Sequence, residues 1–205
     1  MTDTRTVIGI DIDDVLADTH LTTRLWANKV SGVELTDEHY SGVGDYWGYY
    51  ERIWEAHDLQ DVLNHDDFET DIAEDRVSIP LLAGASFAVK ELQKKYKVVL
   101  ITSRYIGLED ITRRWIAEHF DDQLEIYFAK NDRSDQTAKS KGELSIELGV
   151  SYLIDDSVGH CTSALEHGIQ AILFGDKGWQ HSVPDGIVRC ADWPAVLEYF
   201  DGRAQ

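Results

Sequence analysis

The chain has 205 residues, of which 43% are hydrophobic and 10% aromatic, and its formal net charge is −19. This composition is typical of one globular domain with room for an inserted subdomain, and it excludes an intrinsically disordered chain. The acidic excess argues against nucleic acid and anionic membrane surfaces as partners, although a bound cation can still create a site for a small anionic substrate.

Targeting and redox signals indicate a cytoplasmic protein. The polar N-terminus lacks the hydrophobic region of a signal peptide, and no apolar run is long enough to cross a bilayer. The two cysteines, Cys161 and Cys190, are far apart and have no CxxC spacing, so we expect two reduced thiols. The sequence does not indicate an oligomeric state.

The N-terminal part of the chain begins with two predicted elements and then changes character. Residues 7–12 are a short β-branched run typical of a central strand, and residues 18–30 carry apolar side chains at helical spacing. From residue 31 to about residue 79, aromatic and acidic residues dominate. In this stretch, a loop broken by glycines precedes a short amphipathic helix that begins near Tyr50.

From Pro80 onward, predicted helices and strands alternate. The predicted helices cover residues 84–96, 108–120, 142–148, 158–167 and 194–200, and the predicted strands cover residues 97–104, 124–130, 151–157, 169–176 and 187–190. This alternation indicates an α/β fold with a mostly parallel sheet that is covered by helices on both faces. A polar loop is predicted over residues 131–141.

Polar side chains stand where three of the predicted strands end. They are, in chain order, Asp11 and Asp13, Thr102 and Ser103, and Asp155 and Asp156. Two lysines, Lys139 and Lys141, lie on the segment that leads into the third of these strands. Because ligand sites of open parallel sheets lie at the carboxyl ends of the strands, we expect these groups to meet at one edge of the sheet.

The crowding of carboxylates after the first strand indicates either a solvated turn or a site for a bound cation. Asp11, Asp13, Asp14 and Asp18 follow one another closely, and like charges repel unless a positive charge compensates them. Oxygen ligands suit Mg²⁺, which binds one or two carboxylates together with a substrate phosphate. None of the eight histidines falls at ligand spacing with another ligand. Asp14 and Asp18 are expected to be structural, Asp18 as the N-cap of the next helix.

A phosphate held by that cation would need a nucleophile and further donors. An aspartate carboxylate can attack phosphorus, so one of Asp11 and Asp13 can attack while the other handles the protons of the leaving alcohol and the incoming water. Side chains that donate hydrogen bonds or supply positive charge would complete the contacts of the phosphate. The expected ones are Thr102, Ser103, Arg104 and Lys141. Arg104 could instead pair with an acid.

The motifs of the chain resemble those of a known group of enzymes. DIDDV, LITSR and LIDDS, which begin at Asp11, Leu100 and Leu153, together with Lys141, resemble the four motifs of the haloacid dehalogenase superfamily of phosphohydrolases. Within that superfamily, DIDDVLADT and YLIDDS are most similar to the 5'(3')-deoxyribonucleotidase branch and its bacterial relatives. The aromatic-rich insert resembles the small helical cap of the first cap class.

The resemblance implies a domain organisation and a set of roles. A three-layer Rossmann-like core would comprise residues 1–17 and 80–205, and the cap would comprise residues 18–79. Asp11 would be the nucleophile that forms an aspartyl-phosphate, and Asp13 would be the general acid and base, with its backbone carbonyl on Mg²⁺. The implied metal ligands are Asp11, Asp13, Asp155 and Asp156, of which Asp156 would either bind the cation or bond to its waters.

Two points stay open after the resemblance. Lys141 is the expected lysine of the third motif, but the segment that separates it from the fourth motif is longer than in the animal deoxyribonucleotidases, so Lys139 is an alternative. The aromatic residues of the cap would form either a small hydrophobic core or a flat face for a planar group. They are Tyr40, Tyr46, Trp47, Tyr49, Tyr50 and Trp54.

Three functional hypotheses of different classes follow from the sequence. The first is a Mg²⁺-dependent phosphomonoesterase that acts on nucleoside monophosphates, with sugar phosphates and other small phosphomonoesters as alternative substrates. The second is a receiver-type signalling domain, which also joins acids, a hydroxyl group and a lysine on a parallel sheet. The long insert and the acidic pair of the fourth motif argue against it. The third is a binding protein on the same fold that has lost activity.

Overall fold

The computed structural model describes residues 4–120, 124–130 and 138–203. Six strands form one sheet in the order β3-β2-β1-β4-β5-β6, and every neighbouring pair is parallel. The strands are β1 (Val7–Ile10), β2 (Lys97–Tyr105), β3 (Glu125–Lys130), β4 (Val150–Asp155), β5 (Gln170–Phe174) and β6 (Val188–Cys190). The prediction of an α/β fold with a parallel sheet is confirmed.

The helices of the described residues agree with the predicted ones to within a few residues, except that α2 is shorter than the helix predicted over residues 50–63 and that one helix is added. They are α1 (Thr19–Ser31), α2 (Tyr49–Ala56), α3 (His65–Ala73), α4 (Ala85–Gln93), α5 (Glu109–His119), α6 (Lys141–Glu147), α7 (Val158–Glu166) and α8 (Trp193–Asp201). Helix α3 was not predicted. Asp18 caps α1 as expected, because its side chain accepts a hydrogen bond from the backbone N–H of Leu21. Most of the predicted polar loop at 131–141 lies outside the described residues.

The two faces of the sheet pack against separate layers of helices. Ile8 and Ile10 of β1 join a core cluster that includes Trp193 of α8. Between them, Gly9 belongs to the opposite face, where an added Cβ would lie 2.9 Å from the side chain of Ile101. Ile101 is in a second core cluster that also contains buried residues of α7. A larger residue at position 9 would therefore push apart the central strands.

The order of the strands reverses direction at the centre of the sheet. The chain moves outward from β1 through β2 to β3, and then returns to the other side of β1 to continue with β4, β5 and β6. In open α/β sheets of this kind, ligands bind in the crevice that this reversal creates at the carboxyl ends of the strands. The crevice lies here between the ends of β1 and β4.

The insert between β1 and α4 leaves and re-enters the core at adjacent points. The N–H of Asp18 donates to the carbonyl of Pro80 at 2.8 Å, and the N–H of Leu82 donates to the carbonyl of Leu16 at 2.7 Å. Ala17 also forms an antiparallel bridge with Leu81. The two connections therefore run side by side, and the division into a core of residues 1–17 and 80–205 and a cap of residues 18–79 stays a prediction.

The described part of the insert is helical. It contains α1, a short 3-10 turn at Asp37–Tyr40, α2 and α3. In the described ranges of the whole chain, no helix combines the length and the apolar character that crossing a bilayer requires. Cys161 and Cys190 are both buried free cysteines.

Candidate active site

A buried lysine joins the carboxylates that end the two central strands. Lys141 Nζ lies 2.7 Å from Asp11 Oδ1 and 2.7 Å from Asp155 Oδ2, and its side chain is 1% exposed. Lys141 is the first residue of α6, which is fixed by a capping box between Ser140 and Glu143. The capping box therefore fixes the start of α6 at Lys141, so that the side chain of this lysine reaches the ends of the two central strands.

The alternative lysine of the third motif lies on the surface. Lys139 Nζ lies 2.7 Å from the carboxylate of Glu147, and its side chain is 55% exposed. The structure thus brings Lys141, and not Lys139, to Asp11 and Asp155. The single residue between the lysines is enough to separate them, because Ser140 ends the extended segment and α6 begins after it.

Arg104 forms a two-pronged ion pair with the second aspartate of the first motif. Its Nε donates to Asp13 Oδ2 at 2.9 Å and its Nη2 donates to Asp13 Oδ1 at 2.7 Å. The same Oδ1 accepts a hydrogen bond from Thr19 Oγ1 at 2.6 Å, and Arg104 Nη1 donates to Thr112 Oγ1 at 3.0 Å. Of the two roles expected for Arg104, the structure places it in the pairing with an acid.

The electrostatics of the two aspartates of the first motif differ. Burial raises the pKa of Asp11 to about 7, because the negative charges of Asp155 and Asp13 add to burial and Lys141 offsets only part of both. Burial would also raise the pKa of Asp13, but Arg104 more than offsets it, so that the pKa of Asp13 lies below its usual value. Asp13 is therefore held as a carboxylate. The ionised form of Asp11, in contrast, is disfavoured by burial, and a bound cation would stabilise it.

Asp155 has the best-satisfied carboxylate of the site. Its Oδ1 accepts from the N–H of Ser157 at 2.9 Å and lies 3.1 Å from His160 Nδ1. Burial would raise the pKa of Asp155, but Lys141 and His160 more than offset it and lower the pKa. The spacing of the histidines did not point to His160, which the start of α7, one turn after β4, places beside this carboxylate.

Asp156 points away from Asp155 and is only half satisfied. Its Oδ2 accepts a hydrogen bond from Trp179 Nε1 at 3.0 Å, while its Oδ1 is buried and has no hydrogen-bond partner among the described residues. Burial, together with the charges of Asp155 and Asp14, raises the pKa of Asp156 well above its usual value. A buried carboxylate oxygen without a partner is costly and calls for a ligand.

Asp14 adopts a left-handed backbone conformation in the turn after β1. Its φ is 57°, in the left-handed region where aspartate is tolerated better than most side chains. Its Oδ1 accepts from the N–H of His20 at 3.0 Å and pairs with Lys177 Nζ at 3.0 Å. As expected, Asp14 therefore has a structural role, and it also contributes negative charge to the same edge of the sheet.

The charges and the donor atoms of this edge fit a divalent cation. Five carboxylates face three cationic side chains among the described residues, so all five can be ionised together only if a further positive charge binds; the carboxylates are Asp11, Asp13, Asp14, Asp155 and Asp156, and the cations are Arg104, Lys141 and Lys177. Asp11, Asp155 and His160 each offer a ligand atom, and these atoms lie within 4.8 Å of one another. Carboxylate oxygens are the ligands that Mg²⁺ prefers.

The residues that end β2 lie beside this acidic edge. Thr102 is fully buried, and its Oγ1 accepts a hydrogen bond from the N–H of Arg104 at 3.1 Å. Ser103 and Arg104 line a cavity of about 210 Å³, together with Asp11 and Asp13. Of the predicted phosphate-binding residues, Ser103 and Arg104 therefore face the cavity, whereas Thr102 and Lys141 do not line it and lie beneath its floor.

The cap aromatics divide between the two expected roles. Tyr40, Tyr49 and Trp54 are buried within the core of the cap, and Trp54 is fully so. Tyr46, Trp47 and Tyr50 line the cavity, as does the buried Tyr49, and Phe68 of α3 joins them there. Trp47 is 65% exposed. The core side of the cavity carries the aspartates, and the insert side carries most of the aromatic residues together with Glu51 and Glu69.

The chain was compared with known proteins. No protein-family model matches it, and no curated protein sequence does. The similar solved structures include a haloacid dehalogenase-like protein of unknown function from Agrobacterium tumefaciens, with a TM-score of 0.66 and 15% identity over 98% of this chain and 100% of that chain. A HAD family hydrolase from Deinococcus radiodurans with bound phosphate and sodium has a TM-score of 0.61 and 16% identity over 98% of this chain and 97% of that chain.

A third similar structure has a named activity. It is the D,D-heptose 1,7-bisphosphate phosphatase from B. bronchiseptica in complex with magnesium and phosphate, with a TM-score of 0.54 and 16% identity over 97% of this chain and 99% of that chain. All three identities are below the level at which activity transfers, so the similarity concerns the fold. The fold of this chain is therefore that of the haloacid dehalogenase-like hydrolases.

Proposed function

We propose that the protein is a Mg²⁺-dependent phosphomonoesterase that works through a phosphorylated Asp11. The observation that carries the proposal is the environment of the Asp11 carboxylate. Among the described residues, its Oδ1 accepts a hydrogen bond from the N–H of Ile12 at 2.7 Å and pairs with the ammonium group of Lys141 at 2.7 Å. Oδ2 is then the atom left to attack phosphorus, and Asp11 lines the cavity in which a substrate would sit.

The cation would be held by the acidic edge described above. The carboxylates of Asp11 and Asp155 and the backbone carbonyl of Asp13 are the proposed ligands, with Asp156 Oδ1 as a partner for a bound water or for the ion itself. When bound, Mg²⁺ neutralises charge on the phosphoryl oxygens. Lys141 would add a fixed positive charge beneath them, which is worth more in a buried site than in water.

The two halves of the reaction use Asp11 and Asp13 in turn. Asp11 Oδ2 forms a bond to phosphorus as the bond to the substrate oxygen breaks, and the departing oxygen takes a proton from Asp13. A water then attacks phosphorus and gives a proton to Asp13, which releases inorganic phosphate and restores the Asp11 carboxylate. Because Arg104 holds Asp13 ionised, the ion pair must loosen and Asp13 must take up a proton from solvent before it can donate. Arg104 would then be free to bind the phosphate.

The two lysines of the third motif provide a matched test. Lys141→Ala removes the charge that bridges Asp11 and Asp155, and we expect it to lower kcat roughly 10²- to 10³-fold, as does loss of one preorganised charge-stabilising donor. Lys139→Ala removes only an exposed ion pair, which is worth at most about 1 kcal/mol, and should change kcat less than threefold. Initial rates with para-nitrophenyl phosphate measure both. The reverse ranking would assign the role to Lys139.

The aromatic side of the cavity favours nucleoside monophosphates as the substrate class. A planar base can stack on exposed rings, and such stacking is worth roughly 1–3 kcal/mol per base in nucleic-acid binding proteins. Sugar phosphates are the second candidate, because a similar structure is a heptose bisphosphate phosphatase. Phosphate release from a panel of both classes decides between them: the proposal expects higher kcat/KM for nucleoside monophosphates than for sugar phosphates.

Trp47 allows the stacking hypothesis to be tested with little risk to the fold. Because its side chain is largely exposed and lines the cavity, Trp47→Ala should lower kcat/KM for nucleoside monophosphates roughly tenfold, while para-nitrophenyl phosphate turnover should fall by less than that. Phe87→Ala is the matched control, since Phe87 is 63% exposed on α4 and does not line the cavity. Equal effects of the two variants would contradict the hypothesis.

A further inference from the structure

The loop that follows β5 touches both the acidic edge and the cap, and no motif marks it. Residues 175–180 leave the end of β5 and fold back over the fourth motif. Gln180 fixes this loop, because its side-chain amide donates to the carbonyls of Asp156 and Phe174 at 2.8 and 2.7 Å. Its side-chain oxygen in turn accepts from the N–H of Lys177 at 3.2 Å. Gln180 therefore ties the loop to the carboxyl ends of β4 and β5.

Trp179 is the central side chain of this loop and holds Asp156. It is 4% exposed, and its indole N–H donates to Asp156 Oδ2 at 3.0 Å. Among the described residues, this is the one hydrogen bond to the Asp156 carboxylate, since Oδ1 has no partner there. The orientation of Oδ1, the atom that is left for a cation or its water, thus depends on the position of Trp179.

The ring of the same tryptophan is the surface on which the cap rests. Its centroid lies 5.0 Å from that of Tyr49 and 5.9 Å from that of Tyr46, both in edge-to-face geometry, and 6.3 Å from that of Tyr50. Aromatic pairs with these distances attract each other beyond the burial of their area. Three cap tyrosines therefore converge on one core residue that also carries the hydrogen bond to Asp156.

Two neighbours of Trp179 strengthen the same connection. The carbonyl of Gly178 accepts a hydrogen bond from the N–H of Gly44, in the cap, at 3.2 Å. An added Cβ at position 178 would meet Tyr49 and the carbonyl of Gly42, so only a glycine allows this approach. Lys177, which pairs with Asp14, lies over the Trp179 ring with its Nζ 5.8 Å from the centroid.

We infer that Trp179 is a positioning residue that couples docking of the cap to binding of the cation at the acidic edge. When the cap is docked, its tyrosines hold the ring and the indole N–H holds Asp156. When the cap leaves, the ring loses its packing partners and the carboxylate loses its restraint. Because such coupling is reciprocal, Mg²⁺ must favour the docked cap by the same factor by which docking favours Mg²⁺. This inference rests on the proposed function.

Hydrogen exchange of the unmodified protein tests the coupling directly. With Mg²⁺ alone and no substrate, we expect slower amide exchange in peptides covering residues 40–50 and 175–180 as well as in peptides covering residues 11–14 and 150–157. None of residues 40–50 is a proposed ligand, so protection there reports docking. A Mg²⁺ effect confined to residues 11–14 and 150–157 would overturn the inference.

Two variants separate the two halves of the connection. Trp179→Phe keeps a ring for the cap but removes the hydrogen bond to Asp156, and it should weaken Mg²⁺ binding roughly tenfold, the usual scale for a hydrogen bond to a charged group. Tyr49→Leu removes ring packing in the cap, touches no carboxylate of the site, and should weaken Mg²⁺ binding severalfold. Calorimetric titration with Mg²⁺ measures both.

Trp115→Phe is the matched control for a buried indole. Trp115 donates to the carbonyl of Ile79 at 2.6 Å, away from the acidic edge, and its loss should change the Mg²⁺ affinity less than twofold. Unchanged Mg²⁺ affinity in both Trp179→Phe and Tyr49→Leu would overturn the inference. If Tyr49→Leu does not fold, hydrogen exchange of Trp179→Phe decides the question. Loss of the Mg²⁺-dependent protection at residues 40–50 in this variant supports the inference, and persistence of that protection overturns it.

The coupling and the proposed function fail in different ways. If the protein hydrolyses para-nitrophenyl phosphate with Mg²⁺ and residues 40–50 show no Mg²⁺ effect, the coupling alone is wrong. If the protein binds no Mg²⁺ in calorimetry, both the coupling and the proposed metal-dependent function are wrong.

Discussion

Replacement of Asp11 by asparagine is expected to lower phosphomonoesterase turnover roughly 10⁶-fold, the scale seen when a catalytic nucleophile is removed from another hydrolase. The amide is nearly isosteric and can still accept from Lys141 and from the N–H of Ile12 through Oδ1, so the geometry of the strand end should persist. It lacks, however, the anionic oxygen that attacks phosphorus. Steady-state rates with para-nitrophenyl phosphate at saturating Mg²⁺ measure the loss.

A stability measurement distinguishes loss of chemistry from loss of fold in this variant. Because burial raises the pKa of Asp11 to about 7, the ionised form is disfavoured in the folded protein at neutral pH. Removing that charge should maintain or raise the midpoint of thermal unfolding. A lower turnover accompanied by a large fall in this midpoint would assign Asp11 a structural role, and turnover within tenfold of the wild type would exclude it as the nucleophile.

Removal of the divalent cation is expected to abolish turnover as completely as removal of the nucleophile. Treatment with EDTA removes the positive charge that would offset the acidic edge and the phosphate, and added Mg²⁺ should restore the full rate. Asp155→Asn removes one anionic ligand and should raise the Mg²⁺ concentration needed for half-maximal rate by at least tenfold. Rates measured across a Mg²⁺ titration give this concentration directly.

An exposed aspartate serves as the control for the metal experiment. Asp201 pairs with Lys95 on the surface, and its side chain is 75% exposed, so Asp201→Asn should leave the Mg²⁺ requirement unchanged. Full activity in EDTA would rule out the metal-dependent mechanism. An Asp155→Asn variant with an unchanged Mg²⁺ requirement would remove Asp155 from the proposed ligands.

The parts of the fold that follow from local patterns were predictable from the sequence. The β-branched run before Asp11 and the run before Asp155 are short, apolar and bounded by polar turns, so they specify buried strands whose carboxyl ends share an edge. The start of α1 followed from Asp18, because a capping side chain acts on its own next turn. Such signals depend on neighbours in the chain, which a sequence shows directly.

The contacts that were missed depend on partners distant in sequence. Nothing near Trp179 indicates that its indole meets Asp156 or that three cap tyrosines pack on its ring, since these residues come from separate elements. For Arg104, the sequence left two roles open because either a phosphate or an acid satisfies a guanidinium equally well. His160 was missed because a histidine within a helix shows its direction only when the helix is placed against β4.

The choice between Lys139 and Lys141 illustrates what a single local detail can decide. Both lysines stand on the same polar segment, and spacing to the fourth motif does not separate them. The capping box of Ser140 and Glu143 starts α6 at Lys141, so one lysine enters the buried edge while the other stays outside. The box was readable in the sequence, and it is the signal that could have settled the assignment.

The central claim is that a phosphoryl group passes through Asp11, and chemical trapping tests it most directly. The protein is mixed with Mg²⁺ and a phosphomonoester, quenched in acid during turnover, digested, and mapped by mass spectrometry. The account predicts that the peptide containing Asp11 gains the mass of one phosphoryl group in the wild type and not in Asp11→Asn. A phosphoryl group on any other residue, or turnover at which no peptide is ever phosphorylated, would contradict it.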